Sequence, residues 1–194
     1  MKTGILNLEI NNIKSIFNAS KIISESYLIN HIDDFQNDTD VLILPGNGKF
    51  SQGMKSILDK KFDLLIKDHL ANNKKLIGIC LGMQLMMCHS EESGGVEGLN
   101  LIEGSVKIIP ENQFKIPLLG WYDVIFNEHF FKKSIFFFNN KYSVNTTGKS
   151  IILGKIMDRL TVFIKKKNIY GLQFHPEKSS KQGLEILKKI INIQ

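Results

Sequence analysis

An open, mostly parallel α/β sheet, covered by helices on both faces and extended by antiparallel strands in its second half, is the architecture this sequence predicts. Short apolar runs alternate with longer amphipathic ones up to about residue 90, the order of successive β-α-β units. The short runs are apolar throughout rather than at every second residue, as in strands buried on both faces. From about residue 105 the pattern changes to six β-rich segments at hairpin-like spacing, closed by one amphipathic helix. With 194 residues, 43% hydrophobic and 23% charged, the chain suits a single domain over 1–194 and is too rich in core formers for wholesale disorder.

Gly4-Ile5-Leu6-Asn7 reads as the first strand, and Asn12 as the cap of a helix with Ile13, Ile16, Phe17 and Ile23 on its apolar face. Ser26-Tyr27-Leu28-Ile29 is a second strand. Val41-Leu42-Ile43-Leu44 is a third, closed by Pro45-Gly46-Asn47-Gly48. One helix then runs through Met54, Ile57, Leu58, Leu65, Ile66 and Leu70. Leu76-Ile77-Gly78-Ile79 is the fourth strand and passes directly into a helix over Leu81 to Met87. Strands follow at Val106 to Ile109, Trp121 to Phe126, Ile135 to Phe138, Ile151 to Ile156, Thr161 to Ile164 and Tyr170 to Phe174. Lys181 to Ile193 closes the chain as a helix with Leu184, Leu187, Ile190 and Ile191 on one face.

Composition argues against several classes of function. Lys and Arg total 25 against 19 Asp and Glu, a net charge of +6. Arg159 is the only arginine, however, and the planar fork that reads phosphate and guanine is absent elsewhere, which argues against nucleic acid. Lys165-Lys166-Lys167 runs into Asn168 between two apolar runs, the pattern of a solvated hairpin tip. No apolar run approaches the ~18 residues of a membrane span, and the amino terminus has no signal-peptide core. Two cysteines, Cys80 and Cys88, make neither a disulfide framework nor a four-thiolate metal site. These features lead us to expect a cytoplasmic protein without metal or cofactor.

The chemistry concentrates in Gly78-Ile79-Cys80-Leu81-Gly82, a nucleophile elbow with cysteine in the nucleophile position. A nucleophile at a tight strand-to-helix turn sits on a strained backbone, and flanking glycines remove the Cβ atoms that would clash. The dipole of the following helix favours thiolate, and the Leu81 N–H points toward the oxyanion that attack creates. The same spacing would also suit a buried cysteine that merely packs. A proton shuttle is available in Tyr170-Gly171-Leu172-Gln173-Phe174-His175-Pro176-Glu177, where a strand ends in His175 and Glu177 stands across the Pro176 turn. His175 can take and return the proton, and Glu177 can hold the imidazole in the right tautomer. His31, His69, His89 and His129 lie in polar loops or on helical faces, and Cys88, beside Met86 and Met87, reads as a packing residue on the helix after the elbow.

Three stretches, Leu-Pro-Gly-Asn-Gly at 44–48, Gly-Ile-Cys-Leu-Gly-Met-Gln at 78–84 and Gln-Phe-His-Pro-Glu-Lys-Ser at 173–179, together resemble the class I (triad) glutamine amidotransferases. The resemblance runs nearly end to end and is strongest to the glutaminase subunits of imidazole glycerol phosphate synthase, which pair with a (βα)8-barrel cyclase in histidine biosynthesis. It implies that Cys80 attacks the side-chain amide of glutamine, that His175 is the acid and base, and that Glu177 orients it. It places Gln84 and Glu92 at glutamine-binding positions, with Asn140, Lys141 and Tyr142 in a segment that lies against the substrate. It makes Gly46-Asn47-Gly48 the oxyanion strand, whose peptide turns to offer a backbone N–H.

The chain departs from the family pattern in three places. Leu8-Glu9-Ile10-Asn11-Asn12 replaces a glycine-rich stretch, Asn47 replaces an apolar residue, and Phe138-Asn139-Asn140-Lys141-Tyr142 replaces Phe-Val-His-Ser-Tyr. The triad is untouched. Two other readings therefore stand beside the histidine-pathway subunit. One is a paralogous glutaminase feeding a sugar-amidating enzyme of surface-glycan biosynthesis, and the other is a non-catalytic interaction protein that has kept the fold.

Overall fold

A computed structural model describes residues 1–10, 13–92, 94–127 and 130–193. The expected Asn12 cap and His129 lie outside the described residues. The first half contains β1 (Lys2–Leu6), α1 (Lys14–Lys21), β2 (Glu25–Ile29), β3 (Val41–Leu44), α2 (Phe50–Asp59), α3 (Phe62–Ala71), β4 (Lys75–Ile79) and α4 (Leu81–Leu85). The second contains β5 (His89–Ser90), β6 (Val96–Glu97), β7 (Gly104–Ile108), β8 (Leu118–Phe126), β9 (Ser134–Asn140), β10 (Tyr142–Thr146), β11 (Ile151–Ile156), β12 (Leu160–Lys166), β13 (Ile169–Leu172) and α5 (Ser180–Asn192).

The continuously apolar runs become the parallel half of a nine-stranded sheet of order β2-β1-β3-β4-β13-β12-β11-β8-β9. Every junction from β2 to β13 is parallel, and every junction from β13 to β9 is antiparallel. Alternation along β3 sends Val41 and Ile43 to one face and Leu42 and Leu44 to the other. The first face is covered by Ile16 of α1 and by Ile186, Leu187, Ile190 and Ile191 of α5. The second is covered by Phe50, Met54 and Ile57 of α2, Phe62, Leu65 and Ile66 of α3, and Leu81 and Leu85 of α4. The antiparallel half packs its phenylalanines against one another, with Phe126 edge-on to Phe136 and Phe163, and Phe136 4.2 Å from Phe174. Each buried ring stabilises the fold by roughly 2–3 kcal/mol.

Four expectations need correction. The helix from Met54 to Leu70 is two helices, because Lys61 adopts a left-handed conformation (φ +58°) and redirects the chain so that Phe50 and Phe62 both reach the core. The helix after the elbow stops at Leu85, since the chain beyond it turns to bond outward, Cys88 N–H to Gly104 O and Gly98 N–H to Cys88 O. Cys88 is consequently half-buried off the helix, its thiol donating to Asn100 Oδ1 at 2.9 Å. The strand expected at Val106 to Ile109 leaves the main sheet. As β7 it joins β10, β5 and β6 in a second, four-stranded sheet, where Val106 and Val144 pack on the α4 side of the core. The strand at Tyr170, finally, is no mere member of the extension: β13 runs parallel to β4, and that pairing builds the site. The hairpin at Lys165 to Asn168 forms as expected, with Lys166 reaching over to donate to Leu101 O. Among the described residues no helix is long and apolar enough to cross a membrane.

Candidate active site

The pairing of β4 with β13 sets Leu172 opposite Ile79, so the two chains leave the sheet side by side at their carboxyl ends. Ligands bind at such strand ends in open α/β sheets. Cys80 follows β4 with φ +53° and ψ −110°, a conformation that costs of order 1–3 kcal/mol for a residue with a side chain. It is held there by its N–H to Leu172 O at 2.7 Å and by its carbonyl, which accepts from Met83 and Gln84. The glycines on either side admit no substitute. A Cβ on Gly82 would lie 1.7 Å from Leu44 O, and one on Gly78 would lie 2.7 Å from Gly82 O. The helix that follows is only five residues long, so its dipole contributes less than the sequence suggests, and support for a charged sulfur has to come from neighbouring side chains.

One such neighbour is His175, 3% exposed. Pro176 opens a short 3-10 turn over Pro176–Lys178 that carries Glu177 back beneath the ring, where its Oε1 lies 2.8 Å from His175 Nδ1. The backbone is clamped as well. His175 N–H donates to Phe137 O at 2.9 Å, and Ser179 Oγ donates to His175 O while accepting Phe137 N–H. Nε2 is buried and makes no full hydrogen bond among the described residues, but the Cys80 sulfur acts on the ring. Burial pulls the imidazole pKa down. The negative charge of Cys80, then the hydrogen bond and charge of Glu177, outweigh burial and raise it to about 10. The arrangement favours an imidazolium facing the Cys80 sulfur.

Two cavities meet at the 45–48 loop. A cleft of about 160 Å³ is lined by Asn47, Gly48, Cys80, Leu81, Gln84, Glu92, Asn139, Asn140, Lys141 and Tyr142. Nine of the twelve residues singled out from the sequence thus share one cleft, although they come from four separate stretches of chain. His175, Glu177 and Gly46 border the second cavity, on the other side of Asn47, together with Ser15 and Lys178. In the first cleft Glu92 Oε2 accepts the N–H of Phe50, the first residue of α2, and Asn140 Oδ1 is buried with no partner among the described residues. The Leu81 N–H is not free for an oxyanion. It points at Gly46 O, 3.4 Å away, and Gly46 approaches so closely that a Cβ there would lie 2.8 Å from Leu81 Cβ.

Sequence reasoning passed over Gln173, Phe137 and Ser179. Gln173 is fully buried, and its Nε2 donates to Cys80 Sγ at 3.7 Å while its Oε1 accepts from Gln84 Nε2 at 3.0 Å. A polar residue in an apolar strand signals that a buried partner exists, but not which one. Phe137 and Ser179 act through backbone atoms and a hydroxyl, and their residue types carry no signal for that. Among the described residues no group of three or more His, Cys, Asp or Glu is arranged to hold a metal ion.

The family model "Glutamine amidotransferase class-I" matches residues 6–193. The chain is 34% identical over 198 residues to the imidazole glycerol phosphate synthase subunit HisH of Thermotoga maritima, spanning 98% of this chain and 96% of that one. It is 31% identical over 196 residues to the subunit of the same name from Bacillus subtilis, spanning 95% and 92%. A solved glutamine amidotransferase superposes with a TM-score of 0.80 over 98% of this chain and 99% of its own, at 17% identity. PurLQS from Thermotoga maritima superposes with a TM-score of 0.77 over 98% and 97%, also at 17% identity. At such identities the structural likeness speaks for the fold alone.

Proposed function

The chain belongs to the class I glutamine amidotransferases, and on that premise we propose that it is the glutaminase subunit of an imidazole glycerol phosphate synthase, working through Cys80, His175 and Glu177. The observation that carries the reading is the Cys80 elbow set beside a buried histidine whose charge it raises, at the mouth of a cleft with glutamine-sized polar surroundings. The Cys80 thiolate attacks the side-chain amide carbon of glutamine, and the carbonyl oxygen becomes an oxyanion. His175 gives its proton to the departing nitrogen, ammonia leaves, and a glutamyl thioester remains. His175 then takes a proton from water, whose oxygen displaces the sulfur and yields glutamate. Glu177 keeps Nδ1 protonated throughout. Glu92 and Asn140 Oδ1, unpartnered among the described residues, offer acceptors to the substrate's α-ammonium, and Lys141 offers a cation to its carboxylate.

The oxyanion needs donors, and the resting structure withholds one of them, since Gly46 O occupies the Leu81 N–H. Turning the Gly46–Asn47 peptide frees Leu81 N–H and aims the Asn47 N–H into the cleft. The glycines at 46 and 48 permit that motion. A partner surface lies close by. Leu119, Trp121, Ile125 and Ile135 are exposed on the outer face of β8 and β9, and Trp121 packs edge-on against Phe137, whose carbonyl holds His175. A (βα)8-barrel cyclase docked on this apolar face would complete a heterodimeric lyase and receive the ammonia. The reading places the reaction in the cytoplasm, where a thiol nucleophile stays reduced.

The test is glutamate release by the purified chain, alone and with the cyclase and its nucleotide substrate. Stimulation of roughly 10²–10³-fold is expected, the worth of one oxyanion donor. Full turnover by the isolated chain would contradict the withheld donor. Absence of stimulation, with Cys80 still labelled by a glutamine-analogue electrophile, would favour the sugar-amidating paralogue, which the changed cleft residues Asn47 and Asn139 to Lys141 support. An unlabelled Cys80 would leave the non-catalytic interaction protein.

A further inference from the structure

We propose that Gln173 is a catalytic residue of this glutaminase, its side-chain N–H held against the Cys80 sulfur by a directional chain of amides that begins at the substrate cleft. The inference rests on the reading of Cys80 as the nucleophile. Its basis is the polarity of three successive hydrogen bonds. The Tyr142 carbonyl can only accept, so the Gln84 side-chain atom 3.1 Å from it is nitrogen. The same Gln84 nitrogen lies 3.0 Å from Gln173, so the Gln173 atom it meets is the oxygen. The other end of the Gln173 amide is then nitrogen by elimination, and that end lies 3.7 Å from Cys80 Sγ.

A backbone carbonyl 62 residues away in the chain therefore decides that Cys80 meets a donor and not an acceptor. Gln173 is fully buried and Cys80 nearly so, where a donor to a negative sulfur is worth more than in water and an acceptor would repel it. His175 approaches the sulfur as the proton carrier, whereas the Gln173 N–H does not titrate and stays in place while His175 changes charge. Gln84, which lines the glutamine cleft, is by the same logic a positioning residue for Gln173. No bond is made or broken by Gln173. It lowers the energy of the attacking thiolate and receives it again when the thioester is hydrolysed.

The experiment uses the full chain in a Cys88→Ser background, so that Cys80 is the only thiol, and follows iodoacetamide alkylation from acid to alkaline pH. Gln173→Met, similar in volume and without an N–H, is expected to keep the alkaline plateau and to lose roughly tenfold of its rate at the acid end. Gln173→Glu, which puts an acceptor there, is expected to lose more. Gln84→Met leaves Gln173 folded in place but free to turn, and a smaller loss in the same direction is expected. Where a Gln173 variant does not fold, Gln84→Met carries the test alone. A purely packing role would lower thermal stability and leave the shape of the pH profile unchanged. Profiles of the folded variants that superimpose on the parent would overturn the proposal. Cys80→Ala, assayed separately for glutamate release, distinguishes this failure from the other, because activity in that variant would remove the nucleophile itself.

Discussion

His175, just beyond the end of β13, and His69, on α3, are both removed from solvent, at 3% and 1% exposure, yet their pKa values are displaced in opposite directions. His69 presents Nε2 to Lys75 O at 3.0 Å, meets the edge of Phe35, and has no partner for Nδ1 among the described residues. Burial dominates there and lowers its pKa to about 4. The Lys74 charge adds to burial, and the Lys75 carbonyl, Asp68 and Asp40 oppose it without prevailing. Burial also opposes the charge on His175, and is overcome by Cys80 and Glu177 to give about 10. The two regions show that burial by itself makes a histidine inert. Only where the ends of β4 and β13 bring Cys80 and Glu177 to the ring does the same residue become an acid.

Removing those groups tests the contrast, and Cys80→Ala is the largest step. Glutamate release is expected to fall at least about a thousandfold with the fold intact, since the small side chain fits the elbow. The same variant removes the strongest raising influence on His175, so its imidazole, followed by NMR, should titrate well below pH 10 and move toward the behaviour of His69. A His175 that stays near 10 in Cys80→Ala would mean that Glu177 alone makes the difference between the regions.

Glu177→Gln is the milder perturbation. The amide oxygen can still accept from Nδ1, so the ring keeps its orientation but loses a negative neighbour. Glutamate release should fall roughly a hundredfold, and the His175 titration should drop by less than in Cys80→Ala, because Glu177 contributes after Cys80. An equal or larger drop would reverse the ranking of the two partners.

The contrast between legible and hidden features follows the same physics. β3 could be read from Val-Leu-Ile-Leu because a strand buried on both faces must be apolar at every position, and the elbow because Gly78 and Gly82 have no room for a Cβ. His175 and Glu177 were visible because a histidine, a proline turn and an acid close together leave few structural purposes. Other features have no local signal. Lys61 takes a left-handed conformation that glycine or asparagine would have announced. β5 and β6 are two residues each, too short for any periodicity to show. The direction of the Gly46 carbonyl is a peptide orientation that flanking glycines leave undetermined, and the link from Gln173 to Gln84 spans 89 residues.

Stability against pH distinguishes the two histidines without any assay of activity. His175 is raised in the folded state, so its contribution is fully present below about pH 6.5 and is lost as pH rises toward 10. His69 is lowered, so its contribution is present above about pH 6.5 and is lost as pH falls toward 4, where the folded ring at last takes the proton the unfolded chain already holds. Between pH 7 and pH 5 the loss from His69 amounts to about 2 kcal/mol. His69→Gln keeps a side-chain N–H for Lys75 O and does not titrate, so its denaturant-unfolding free energy should fall by about that much less over the same interval. Its change above pH 7 should match the parent, because His175 is untouched. Equal acid losses in the parent and in His69→Gln would show that the buried ring on α3 takes up its proton at the same pH as in the unfolded chain, and that burial alone does not separate the two regions.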